Sequence, residues 1–280
     1  MTNFNDLKEK IEKDGFVIIK NLFTKSEIEE LEKVCANHCS VTNYQASPKK
    51  DALSLKGIDD FILNEKFLTP IKKILDNNIV YFGDSALHCK PNERMFHKDS
   101  RGDKLDPSIS SYKIYRVGIF LQDHYSFSGG IKFRKGSHKK LNFRLSTIKK
   151  ILTGKAKLKT FFNFGKIVNA RTKIGDIVVW NLRTDHSGGA VINKLFPNLG
   201  VLPLIDELTP KFLKKPENQK RMAIFSSFGS ESIELENYLN YKVNDKRYSE
   251  HWQNSDFNTN YILDKSKKLN LKINSKGLIN

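Results

Sequence analysis

The 280-residue chain has no apolar run near the roughly 18 residues that span a bilayer; its longest, such as Ile177-Val178-Val179-Trp180, are strand-sized. Its N-terminus, MTNFNDLKEKIEK, alternates charges and lacks the apolar core of a signal peptide. We expect a cytoplasmic protein with no membrane partner. Cysteine is scarce: Cys35, Cys39 and Cys89 form an odd set without metal-ligand spacing. Cys35 and Cys39 can share a helix face, but all three are expected as buried small apolar groups rather than as ligands or disulfide partners. Arginine is scarce too, since 39 of the 48 basic residues are Lys. The bidentate fork that readers of nucleic acid favour is therefore largely missing, and no nucleic-acid partner is expected.

Lysine is what the chain has in excess. Lys+Arg 48 against Asp+Glu 31 leaves a formal charge of +17. The lysine pairs, among them Lys49-Lys50, Lys139-Lys140 and Lys214-Lys215, lie far apart, and none grows into a basic arm. Two explanations stay open: a solvated surface biased by composition, with 25 Asn accompanying the lysines, or selection for an anionic small-molecule substrate. Hydrophobic residues at 39% and 19 Phe are enough to bury a real core.

Helical spacing over residues 1–13 is broken by Asp14-Gly15, and Phe16-Val17-Ile18-Ile19 reads as a buried strand. Thr24-Lys25-Ser26-Glu27 has the capping-box pattern, opening a helix to about His38. A further helical region ends near Asn77-Asn78. Beyond residue 79 the texture turns to short strands at 79–82, 85–89, 112–121, 131–134, 176–182 and 221–228, with helical pieces at about 142–153 and 231–241. Strands in quantity after a helical preface argue for a mainly β double-sheet core with flanking helices, such as a jelly roll. The expected division of this single domain is a helical preface over about 1–78, a core over about 79–230 and a C-terminal extension over about 231–280. Within the core, the proline-bearing 193–220 is an insertion that reads either as a lid or as a merely decorative loop.

Of the seven histidines, one stands in an H-x-D pattern, His97-Lys98-Asp99. On extended backbone, positions i and i+2 point the same way, so imidazole and carboxylate can converge on one ion. His186, ending a short polar strand after Gly175-Asp176-Ile177-Val178-Val179-Trp180, is the candidate third ligand. Two imidazoles and a carboxylate on one face of an octahedral ion is the arrangement of non-haem Fe(II) oxygenases. Arg221 opens the strand RMAIFSSF: either it is partly exposed at the strand start, or it faces the core, where an arginine needs an anion to meet it.

The segments DGFVIIKNLFTKSEIEELEK (14–33), HKD (97–99), GIFLQDHYSFSGGIKFRKGSHKK (118–140), GDIVVWNLRTDHSGG (175–189) and RMAIFSSF (221–228) together resemble the phytanoyl-CoA dioxygenase family, in that family's order. The resemblance implies a double-stranded β-helix and an Fe(II)- and 2-oxoglutarate-dependent dioxygenase that uses O2, hydroxylates a small molecule and releases succinate and CO2. It implies His97, Asp99 and His186 as iron ligands and catalytic residues, and Arg221 as the arginine that binds the 2-oxoglutarate C5 carboxylate. Arg221 follows His186 by 35 residues where the family spacing is about a dozen, so 193–220 is an insertion and Lys220 is the alternative to Arg221. Lys135-Gly136-Ser137-His138 matches a family turn and makes His138 structural. Asp99 stands where related halogenases carry a small residue, which favours hydroxylation. A non-catalytic jelly-roll binding protein and a basic nucleic-acid-binding protein are the competing readings.

Overall fold

The computed structural model describes residues 4–41, 48–90, 95–100, 112–139 and 165–274. The helix expected at about 142–153 lies outside them. Two sheets face each other. The larger has strands β1 (Phe16–Ile19), β2 (Val80–Tyr81), β3 (Ala86–Cys89), β4 (Ile114–Phe120), β7 (Ile177–Asn181), β9 (Met222–Gly229) and β10 (Lys272–Ile273). Its order is β1-β7-β4-β9-β2-β10, with β3 also paired to β9; β10 joins β2 in parallel. The smaller has the order β6-β5-β8, from β5 (Gly130–Arg134), β6 (Ile167–Ala170) and β8 (His186–Ala190). This is a jelly-roll fold, mainly β with flanking helices.

Strand alternation explains both layers. On β4, Tyr115, Val117 and Ile119 face the helices α1 (Phe4–Asp14), α2 (Lys25–Ser40), α3 (Ile58–Ile62) and α4 (Glu65–Ile74), whose apolar residues share one core with them. Phe120, on the other face, joins Phe16, Ile131, Phe133, Val178, Trp180 and Phe225 between the sheets. Gly118 makes that packing possible, because a Cβ there would lie 2.9 Å from the Phe225 ring and 3.0 Å from Trp180. The Thr24 capping box is present, with Thr24 Oγ1 accepting from Glu27 N–H and Glu27 Oε2 accepting from Thr24 N–H. The Gly175-Asp176 turn is held tightly against the loop after β1. A Cβ on Gly175, at φ +90°, would sit 2.1 Å from the Phe23 carbonyl oxygen. The Asp176 carboxylate accepts from Asn21 N–H, Lys173 N–H and Lys20 Nζ.

Four expectations are corrected. The residues before 79 are more than a helical preface, since β1 pairs with β7 and is the edge of the larger sheet. The C-terminal extension is three helices, α6 (Ile233–Val243), α7 (Lys246–Gln253) and α8 (Thr259–Lys268), and its β10 completes that sheet. His186 does not end a strand but begins β8, and the glycine-rich stretch after it pairs with Ile131 and Lys132. Ladder hydrogen bonds along β5 and burial of the strand outweigh the flexibility of Ser187-Gly188-Gly189. Finally, Cys39 and Cys89 are not separate thiols but a disulfide, with Cα atoms 5.7 Å apart. Both are buried as expected; folding brings the last turn of α2 onto β3, a proximity that sequence spacing does not show. Cys35 is free and buried.

The insertion 193–220 carries the short helix α5 (Pro203–Leu208) and lies along the smaller sheet. Lys132 of β5 is buried against Asp206 of α5, Asn169 of β6 donates to the Pro197 and Leu199 carbonyls, and Lys215 N–H donates to the Ile192 carbonyl.

The disulfide closes a loop of sequence separation 50. The entropy of constraining the unfolded chain gives about 4 kcal/mol for such a loop. A Cys39→Ser/Cys89→Ser double variant is therefore expected to unfold at clearly lower urea than the oxidised protein, with reducing agent lowering the wild-type midpoint in the same direction. An unchanged midpoint in both would show that the bridge contributes nothing.

Candidate active site

His97 and His186 are brought together by backbone. The segment around His97 forms an antiparallel bridge with the first residue of β8, through His97 N–H to the His186 carbonyl and the reverse, both 2.9 Å. Their rings lie 4.4 Å apart. Each ring is oriented by a carbonyl two residues earlier: His97 Nδ1 donates to Met95 O at 2.9 Å and His186 Nδ1 to Thr184 O at 3.0 Å. A carbonyl only accepts, so in each neutral ring Nδ1 carries the proton and Nε2 presents a lone pair. Both Nε2 atoms face Asp99, His97 at 3.5 Å from Oδ1 and His186 at 3.5 Å from Oδ2. Among the described residues, these three form the one cluster placed to hold a metal ion, with donor atoms within 4.8 Å of one another.

The electrostatics match that geometry. Burial alone would raise the Asp99 carboxyl, but the Arg116 guanidinium and the two imidazoles outweigh it and hold the group well below the usual carboxylate range. Burial lowers His186 to about 4 despite the attraction of Asp99, so its ring is neutral at pH 7. Asp99 Oδ2 is buried without a hydrogen-bond partner. Two lone pairs and a carboxylate oxygen, with no proton between them, make a donor set that a divalent cation satisfies.

The surrounding cavity is lined by His88, Arg116, Ile131, Trp180, Gly188, Arg221 and Phe225 besides the triad. Arg221 is buried immediately before β9. Its guanidinium lies over the Phe120 ring at 5.2 Å and donates from Nη1 to Lys90 O at 3.0 Å. Lys220 is exposed and takes no part in the lining. No residue of 193–220 lines this cavity. Lys98 is turned away, buried with Nζ on the Ser137 carbonyl. His138, with Nε2 on the Glu12 carbonyl, belongs to the structural turn as expected.

Sequence reasoning missed Arg116 and His88. Arg116 carried a usable signal: it stands in the middle of the apolar run YKIYRVGIFL, and the burial argument that singled out Arg221 applies to it equally. His88 is marked only by its alternation on β3. His124 is also buried; Gln122 Nε2 lies 3.0 Å from its Nε2 and Thr172 Oγ1 2.8 Å from its Nδ1.

No protein-family model matches the chain, and no curated protein is similar to it in sequence. Solved structures do resemble it. The non-heme alpha-ketoglutarate-dependent epimerase SnoN from nogalamycin biosynthesis aligns with TM-score 0.54 at 14% identity, over 81% of this chain and 80% of that one. HygX from Streptomyces hygroscopicus, solved with nickel and 2-oxoglutarate bound, aligns with TM-score 0.53 at 14% identity, over 82% and 88%. The non-heme monooxygenase ThoJ, solved as a nickel complex, aligns with TM-score 0.50 at 18% identity, over 80% and 77%. At these identities the likeness establishes the fold, a cupin-like double-stranded β-helix. No helix among the described residues is long and apolar enough to cross a membrane.

Burial lowers three imidazoles from the ordinary 6.5: His124 to about 3, and His138 and His186 to about 4. The unfolded chain binds more protons than the folded one between those values, so stability is full above about pH 6.5 and falls as pH drops toward 3 to 4. Asp99 acts in the same direction; Asp51, raised by burial, opposes it. Urea unfolding at pH 7.5 and pH 4.5 is expected to differ by several kcal/mol in favour of pH 7.5. Equal stability would mean that burial of these rings contributes no more than the opposing Asp51.

Proposed function

We propose that the protein is an Fe(II)- and 2-oxoglutarate-dependent oxygenase of the phytanoyl-CoA dioxygenase type, hydroxylating a small metabolite with release of succinate and CO2. One observation carries the reading: His97 Nε2, His186 Nε2 and the Asp99 carboxylate converge with both ring protons held on the far side. In this role all three would hold the metal ion. Bound Fe(II), 2-oxoglutarate and O2 supply the oxidising chemistry, which belongs to the cofactor set.

The chain's own residues do the positioning. Arg221 meets the distal carboxylate of 2-oxoglutarate as a planar donor pair, its guanidinium lying over the Phe120 ring and its Nη1 held by Lys90 O. Ile131, Trp180 and Phe225 form an apolar wall that keeps water from the reacting atoms. We read the whole chain as one domain, a reading supported by the N-terminal strand and the C-terminal β10 both belonging to the larger sheet. Asp99 occupies the third ligand position, which favours hydroxylation over halogenation. An anionic or phosphorylated substrate is consistent with the +17 balance.

The test is anaerobic loading with Fe(II) and 2-oxoglutarate, then O2, measuring succinate release with and without a metabolite pool. Wild type is expected to release succinate, and His97→Ala or Asp99→Ala to lose it at least a hundredfold; unchanged turnover in both would sink the reading. Arg221→Met is expected to raise the KM for 2-oxoglutarate at least tenfold while the variant still binds Fe(II). An unchanged KM would remove Arg221 from the cosubstrate site.

A further inference from the structure

Arg116 stands on β4 with its side chain in the cavity, and both ends of its guanidinium meet carboxylates. Nη2 lies 2.6 Å from Asp84 Oδ2, while Nε lies 3.7 Å from Asp99 Oδ2 and donates to Ser227 Oγ at 3.1 Å. Ser227 is its register partner on β9, so the fork is fixed across the sheet at its root. Asp84, in the connection between β2 and β3, is itself buried and held from the other side. It accepts from Tyr238 OH at 3.1 Å and from Ser227 Oγ at 3.4 Å, and Lys242 Nζ lies 3.7 Å away. Tyr238 and Lys242 both belong to α6, in the C-terminal extension.

A metal-ligating carboxylate rotates freely about its last bond unless its second oxygen is engaged, and metal affinity depends on such outer partners. Here the only cation facing Asp99 Oδ2 among the described ion pairs is a guanidinium that cannot swing toward the cavity without breaking its pairing with Asp84. The half-buried Arg116 is compensated by two carboxylates, and the buried Asp84 by Arg116 and Lys242. We propose that Arg116 is a positioning residue for the metal centre, holding the Asp99 carboxylate in its ligating orientation, and that Asp84, braced by Tyr238 and Lys242 of α6, holds Arg116. This rests on the metal-centre reading above and adds that the C-terminal extension is part of the machinery that shapes the site.

Co(II) serves as the probe, because its visible bands report ligand geometry without turnover. Full-length wild type, Arg116→Gln, Arg116→Lys and Asp84→Asn are titrated anaerobically with Co(II), and the metal-free thermal midpoint of each is recorded. Arg116→Gln and Asp84→Asn are expected to raise the Co(II) Kd on the order of 10- to 100-fold and to shift the visible bands. Arg116→Lys keeps the charge, loses the fork and leaves folding least disturbed; it is expected to change Kd and bands in the same direction by a smaller factor. If wild type binds Co(II) and Arg116→Lys, folded at the wild-type midpoint, binds with wild-type Kd and bands, the positioning role is overturned. If wild type binds no Co(II) or Fe(II), the metal-centre reading fails first, and the two failures are thereby distinguished.

Discussion

Three electron-pair donors pointing at one another with no proton between them are unstable on their own, and much of this structure is arranged to keep them so. The carbonyls of Met95 and Thr184 hold the two ring protons away from the centre, and the bridge between His97 and His186 fixes the rings side by side. The smaller sheet supplies His186, the larger sheet supplies Arg116, the residue just before its β9 is Arg221, and the aromatic packing of Phe16, Phe133, Trp180 and Phe225 sets the separation of the sheets. Outside the larger sheet, the helices bury its opposite face and make it rigid enough to hold charged groups at fixed positions.

Local signals in the sequence led to the right elements where the physics is local. The Thr24 capping box, the Asp14-Gly15 break and the short apolar runs that become β4 and β9 each involve neighbours within a few residues. The triad was found because a histidine and an aspartate two apart on extended chain share a direction, and because His186 follows a turn and an apolar strand. What escaped depends on partners far away in the chain. Cys39 and Cys89 meet only once α2 docks on β3, and Ser187-Gly188-Gly189 is strand only because β5 pairs with it. Arg116 takes its role from Asp84 and Asp99, which only the fold places at either end of it.

The positive balance acquires a different meaning from the one that its size suggests. Several lysines are used internally: Lys132 on Asp206, Lys98 on the Ser137 carbonyl, Lys215 on the Tyr125 carbonyl, Lys242 beside Asp84. These are structural tethers with long reach, each joining segments distant in sequence. The cavity itself takes its positive charge from arginine, the rarer residue, whose planar fork suits carboxylates at fixed angles.

The base of the insertion has a topological consequence. Asn193 bridges to Lys214, Lys215 N–H donates to Ile192 O, and Ser128 N–H donates to Pro216 O. The chain is thus pinched shut at residues 192 and 215, with six residues from His186 to Ile192 and six from Lys215 to Arg221. Followed across the pinch instead of around the loop, the path from the second histidine to the arginine is about the dozen residues of the resembling family. The loop beyond the pinch is a side branch on that path, and its length is not a term in where Arg221 stands.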